Sequence, residues 1–383
     1  MEQSISKIQS TIMRDYYKDF SKYSRGRKPE KLVAWVTSFA PIEILEALDI
    51  SYYYPESYAA VIAASGRDQE MLQEGDNNAL STDCCSYSCC IEGCLVKEDG
   101  PRGIPPKPDI LIATNNQCNT LPNWWNILAM RYNVPLIIID YPGEYDNTKW
   151  CFDYVKKQHE NLIKTLEQLS GNHMDYEKLD GLIEKSKKSV ESWNRIVESM
   201  KTVDIKPTIV FDGITYLIIA RCKEQTSILY DLMLKEIITS APQENRNLIK
   251  LFWIGYPLWY HPDRYFSEEL AGFKIVGANY ITWWNLNYSG DDVFEKLYNA
   301  YNYTFLNLSQ NTRNVLLKNA ISQSGAVCSV SMHNKSCKCD FVSAKDINIA
   351  KTEIEMDMID RSFSNIERVK SQIDLIKDTI CTK

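Results

Sequence analysis

Twelve cysteines, four histidines and a few polar residues at strand ends are the groups in this 383-residue chain with chemistry to offer. The thiols stand at Cys84, Cys85, Cys89, Cys90, Cys94, Cys118, Cys151, Cys222, Cys328, Cys337, Cys339 and Cys381. Disulfides fit them poorly. The N-terminus, MEQSISKIQSTIMRDYYKDF, scatters its charges and has no apolar export core, so a reducing compartment is expected, and a chain this long can stabilise itself by burial. Some thiols are expected to pack as small apolar side chains. For the others, metal ligation is the stronger reading. Structural zinc wants four ligands, usually as two short C-x₂₋₄-C pairs, and neither Cys85/Cys89 nor Cys337/Cys339 has the usual knuckle spacing. A 4Fe-4S cluster takes up to four thiolates, and three would leave one iron open as a Lewis acid. Spacing leans toward the cluster and leaves zinc open.

The elements that must position these groups read as βα units. Residues 32–36 form a buried strand followed by Thr37, Ser38 and a helix from Pro41; 50–54 form a strand stopped by Pro55 and Glu56. A helical, increasingly polar stretch covers 58–80, another helix starts within 83–96, and a proline-rich loop at 101–108 leads into the strand DILIAT, with Cys118 just beyond it. Helix LPNWWNILAMRYN and strand PLIIID continue the series, whose short apolar strands point to a parallel sheet covered on both faces. Residues 151–202 carry two long amphipathic helical patterns broken near 170–172, and a second series has strands near 251–255, 273–276, 326–332 and 350–356. The expected organisation is an α/β chain: an N-terminal domain at 1–150, a helical connector at 151–205 and a C-terminal domain at 206–383. Ligands of open α/β sheets collect beyond the carboxyl ends of strands, where Ser38, Glu56, Cys118 and Cys337 all fall. Cys85 opens a helix, whose N–H groups favour a thiolate. Three cysteines can thus converge on a cleft between the domains.

Composition excludes several classes. With 43 Lys+Arg against 50 Asp+Glu the net charge is -7, and no basic block tracks a phosphate backbone, so nucleic acid is not an expected partner. No stretch reaches the ~18 apolar residues of a membrane span, and a cytoplasmic location is expected. Neither G-x-x-x-x-G-K-[ST] nor G-x-G-x-x-G after a strand is present, and no Ser/His/Asp set stands out. His333, the histidine nearest the proposed ligands, reads as a hydrogen-bonded structural residue.

Six segments together resemble the 2-hydroxyacyl-CoA dehydratase family, whose relatives include benzoyl-CoA reductase subunits and double-cubane-cluster reductases. They are YYYPESYAA at 52–60, DCCSY at 83–87, PKPDILIATNNQCNTLPNWW at 106–125, PLIIIDYP at 135–142, HNKSCK at 333–338 and IEMDMID at 354–360. The resemblance implies two flavodoxin-like, doubly wound domains with mostly parallel sheets. It implies one 4Fe-4S cluster, with an open iron, on Cys85, Cys118 and Cys337 in the interdomain cleft. It is closer to the substrate-activating subunit, whose catalytic serine and glutamate match Ser38 and Glu56. Where many relatives have Pro-Glu-Asn-His, this chain has Pro55, Glu56, Ser57 and Tyr58, so a phenol replaces a histidine. Cys84, Cys89, Cys90, Cys94 and Cys339 exceed the three-ligand pattern; they are packing residues or ligands of a larger cluster, which the cysteine-free stretch 255–327 disfavours.

The activity so implied is elimination of water from a 2-hydroxyacyl-CoA to give a 2-enoyl-CoA. One electron makes the thioester carbonyl a ketyl radical, which expels the hydroxyl and acidifies the proton on the carbon beyond. Ser38 would orient substrate or relay a proton and Glu56 would act as acid or base. Implied partners are a related second subunit in a heterodimer, a separate ATP-dependent iron-sulfur activator and the acyl-CoA, in an oxygen-free cytoplasm. The alternative is a benzoyl-CoA-type or other low-potential thioester reductase subunit, or a double-cubane-cluster reductase. The Trp124-Trp125 and Trp283-Trp284 pairs read as core aromatics.

Overall fold

Apolar runs in the first half become four short strands: β1 Val33–Val36, β2 Ser51–Tyr53, β3 Ile110–Thr114 and β4 Leu136–Ile139. In the second half the same happens at β5 Ile249–Ile254, β6 Phe273–Ala278 and β7 Cys328–Asn334, while β8 Ala350–Met356 alternates buried and exposed side chains. Among the described residues every strand pairing is parallel, and the two sheets run β2-β1-β3-β4 and β6-β5-β7-β8. Each half therefore places its first strand, then its second on one side and its third on the other. β1 and β3 are buried along their whole length, as strands covered by helices on both faces must be. The computed structural model describes residues 4–77, 84–145, 148–240, 248–260, 270, 272–337 and 347–381. Asp83, Lys338 and Cys339 lie outside the described residues.

The order just given puts a topological switch point between β1 and β3 in one sheet and between β5 and β7 in the other, where the chain leaves neighbouring strands toward opposite sides. At the first, Thr37 and Thr114 fasten the strand ends together, their hydroxyl oxygens 2.9 Å apart and the Thr114 N–H donating to Thr37 Oγ1 at 3.1 Å. At the second, the exit from β5 needs Gly255. Its φ is +104°, and a Cβ there would stand 2.4 Å from the Met332 carbonyl oxygen on β7. That turn delivers Tyr256 to the crevice.

Between the sheets in sequence run two long helices, Thr148–Ser170 and Tyr176–Ser199. Gly171 at φ +72° ends the first, and Asp175 caps the second by accepting from the N–H groups of Glu177 and Lys178, both at 3.0 Å. Two more helices, Pro207–Ala220 and Glu224–Ser240, precede β5. Among the described residues no helix is long and apolar enough to cross a membrane.

The seam between helices Asp68–Asn77 and Ser86–Lys97 holds three of the five surplus thiols. A Cβ on Gly93 would come within 1.8 Å of the Met71 carbonyl oxygen and one on Gly75 within 2.1 Å of that of Cys89, so the backbones touch. Cys89, Cys90 and Cys94 are buried on this helix. Burial pushes the Cys89 and Cys94 thiols up to about 12 and raises that of Cys90 as well. Their small side chains fill space that a larger one would force apart.

Candidate functional site

Ser38 follows β1 in a tight turn, and Glu56 is the second residue of helix Pro55–Ala64, which Pro55 starts. Both are buried. The Ser38 backbone N–H and hydroxyl each donate to Glu56 Oε2 at 3.0 Å, and Gln117 Nε2 donates to Oε1 at 2.7 Å. Neither Ser38 nor Thr37 caps the next helix, Ile42–Ala47, whose N-cap is Pro41 with no side-chain hydrogen bond. The serine is thus committed to the glutamate. Burial raises the Glu56 carboxyl above its ordinary value, and the bonds from Ser38 and Gln117 only partly offset that. A carboxyl raised in this way, with a hydroxyl on one oxygen, has the chemistry to hand on or take up a proton.

These residues form one wall of a cavity of about 330 Å³. The facing wall comes from the second half of the chain and is aromatic. Trp283 meets Tyr256 edge-on at 5.2 Å, and Phe39 stacks on Trp284 at 4.2 Å. Trp259 donates through Nε1 to the Tyr87 hydroxyl at 2.7 Å, joining the halves. Trp283 and Trp284, read from sequence as core, are buried and line this cavity at once. Trp125 is core, its Nε1 donating to the Trp35 carbonyl at 3.3 Å. Among the described residues three buried polar atoms on the cavity wall, the acceptor Gln117 Oε1 and the donors Trp283 Nε1 and Trp284 Nε1, have no protein hydrogen-bond partner.

The phenol that replaces a histidine, Tyr58, does not line this cavity. Its hydroxyl donates to the Gly103 carbonyl and accepts from the Arg102 N–H at 3.2 Å, pinning the loop after helix Ser86–Lys97. Tyr58 is a structural residue. His333 is half-exposed at the end of β7, with Nε2 3.3 Å from Glu353 Oε2.

The three cysteines singled out by the resemblance are half-buried and share one neighbourhood. Burial raises the Cys85 thiol well above its ordinary value, and the next contributions come from Cys337 and then Cys118. Cys85 caps helix Ser86–Lys97, Cys118 stands four residues past β3 and Cys337 three past β7. A Ser336-to-Ser86 hydroxyl bond of 2.9 Å clasps the chain beside Cys337 to the chain beside Cys85. Asn334 Oδ1 shapes the turn by accepting from the N–H groups of Ser336 and Cys337 at 3.2 and 3.4 Å. Each thiol also touches the cavity through a neighbour. Gln117 precedes Cys118, Tyr87 lies two residues after Cys85, and the Tyr256 phenol oxygen accepts from Cys337 Sγ at 3.7 Å. Among the described residues no three His, Cys, Asp or Glu side chains are grouped to hold a single metal ion. Gln117 and Tyr256 escaped the sequence reading; Gln117 could have been found as the residue beside Cys118 at a strand end.

Comparison with known proteins adds three findings. The family model described as 2-hydroxyglutaryl-CoA dehydratase, D-component, matches residues 37–375. The lactoyl-CoA dehydratase subunit alpha of Anaerotignum propionicum is 29% identical over 352 residues, 84% of this chain and 82% of that protein. The (R)-2-hydroxyisocaproyl-CoA dehydratase alpha subunit of Clostridioides difficile is 28% identical over 299 residues, 75% of this chain and 72% of that protein. A benzoyl-CoA reductase subunit of Thauera aromatica matches at 27% identity over a shorter reach, 48% of this chain and 44% of its own.

Proposed function

Because this chain belongs to the 2-hydroxyglutaryl-CoA dehydratase D-component family, we propose that it is the iron-sulfur subunit of a 2-hydroxyacyl-CoA dehydratase, with Cys85, Cys118 and Cys337 as ligands of one 4Fe-4S cluster. The observation that carries the reading is the meeting, at paired switch points, of a Ser38–Glu56 proton-handling pair with three cysteines. The shorter reach of the reductase match favours dehydration over ring reduction.

The donor set fits a cubane better than a single ion. Each thiolate of a cubane ligates a different iron, so three cysteines in one electrostatic neighbourhood need not converge on one point. When bound, the cluster would supply an electron at low potential and one iron open as a Lewis acid.

Everything else falls to the chain's own residues. Glu56, its Oε2 bonded to the Ser38 hydroxyl, gives its proton to the departing hydroxide so that water leaves, and the carboxylate so formed then takes the proton from the carbon beyond the hydroxyl-bearing one. Gln117 holds the other carboxyl oxygen so that Oε2 keeps its aim, and its own Oε1 is available to a substrate hydroxyl. The aromatic wall keeps bulk water from a reactive thioester.

The relatives named alpha subunits act beside partners, and a related second subunit is proposed here. A separate ATP-dependent activator would deliver the electron, in keeping with the lack of a P-loop in this chain. The test is turnover without oxygen by the complex with its second subunit, an activator, ATP and a reductant. The 2-enoyl-CoA should accumulate from the 2-hydroxyacyl-CoA. ATP consumed with the hydroxyacyl thioester unchanged, or a product reduced without loss of water, would overturn the dehydratase reading.

A further inference from the structure

We infer that the cavity selects a neutral, apolar acyl group of aromatic size, discriminating against both dicarboxylic and very short acyl chains. The inference rests on the proposed reaction for the presence of an acyl thioester, and on the cavity's own walls for its kind.

At about 330 Å³ the cavity lies at the small end of ligand pockets, which leaves room for an acyl group and the start of its thioester arm. Its aromatic wall is rigid. Besides the Phe39–Trp284 stack and the Trp283–Tyr256 edge contact, Trp283 lies nearly parallel to Phe305, at 11° and 6.0 Å, so the indole is braced from both sides. Such a wall cannot collapse onto a small ligand, and a two-carbon side chain would leave it partly unfilled. Opposite, helix Pro55–Ala64 presents Glu56, Ala60 and Ala64, spaced i, i+4, i+8 and so along one face. The two alanines, with nothing beyond Cβ, give a trough running away from the carboxyl.

Charge makes the second discrimination. Among the described residues, the charged side chains on the wall are Glu56 and Asp212, both acidic, and none is cationic. A terminal carboxylate on the acyl chain would meet Glu56 and the electron-rich faces of the rings. It would lose its water without gaining a counter-ion from the described lining of the cavity.

The experiment titrates the oxygen-free complex with three saturated thioesters that lack the hydroxyl and cannot react, 3-phenylpropionyl-CoA, propionyl-CoA and glutaryl-CoA, followed by calorimetry. The phenylpropionyl thioester should bind about 100-fold tighter than either of the others, the scale on which a shaped apolar pocket discriminates. Ala60→Leu, which narrows the trough, should erase most of its advantage over propionyl-CoA. Equal affinities within threefold, a preference for glutaryl-CoA, or no binding of any of the three overturns the inference. Because no chemistry is involved, the ranking can hold in a protein that fails to dehydrate anything, which would sink only the proposed reaction. Dehydration with a flat ranking would sink only this inference.

Discussion

Glu56→Gln is expected to lower kcat by about 10³-fold, the scale of a lost general acid–base, while KM for the thioester and the fold change little. The amide keeps the shape of the carboxyl in its slot between Ser38 and Gln117 but cannot carry the proton. Burial, partly countered by those two donors, raises the Glu56 carboxyl in the folded chain. The sign follows from that direction. A carboxyl with a raised folded value binds its proton more tightly when folded, so its contribution to stability is greatest below the unfolded value and declines as pH rises through the folded one. The glutamine variant should therefore lose activity at every pH and resist denaturation relatively better as pH rises. Circular dichroism melts and single-turnover rates on the same preparations separate the two effects. Unchanged kcat would remove Glu56 from the chemistry.

Arg221→Ala is expected to have the largest effect on stability, about 3–5 kcal/mol, because it strands a buried charge. Arg221 and Glu43 are fully buried with Nε 3.2 Å from Oε1. Arg221 also donates to the Ala40 carbonyl at 2.8 Å and to the Tyr301 hydroxyl at 2.7 Å. Glu43 accepts from Ser186 at 2.6 Å, Tyr288 at 2.8 Å and Tyr301 at 2.6 Å. This hub ties the helix after Ser38 to the long helix Tyr176–Ser199 and to the second half of the chain. Burial alone would raise the Glu43 carboxyl; Arg221 and the hydroxyls outweigh it and leave it lowered. The stability it lends is present above the unfolded value and lost as pH falls through the folded one, so the wild type should weaken below about pH 4.5. Replacing both partners, Glu43→Leu with Arg221→Met, should recover much of the loss. Denaturation midpoints of the three variants test this, and an additive double variant would contradict it.

What was legible in the sequence was whatever local pattern dictates. Seven short apolar runs and one alternating stretch specify the strands, and the rule that ligands gather past strand ends singles out Ser38, Glu56, Cys118 and Cys337 before any contact is known. Cys85 is legible for a related reason, as a polar-loop residue opening a helix. Less legible was anything decided by packing between distant segments. Glu43 and Arg221 lie 178 residues apart, and nothing local marks either as half of a buried pair. Tyr256 reaches Cys337 only because Gly255 turns the chain there. Trp283 and Trp284 look like core because they are buried, yet a cavity can be walled by buried rings. Tyr58 invited a chemical reading by replacing a histidine, and the loop at Gly103 claims it instead. Helices Pro207–Ala220 and Glu224–Ser240 precede β5 and are not marked by the strand pattern of the second series.

Iron and acid-labile sulfide per chain, on protein purified without oxygen, tests the central claim most directly, for wild type and for Cys85→Ala, Cys118→Ala and Cys337→Ala. The account predicts about four of each in the wild type and their loss in all three variants, with secondary structure retained. Zinc in place of iron, or a full iron complement surviving any one of the substitutions, would contradict it.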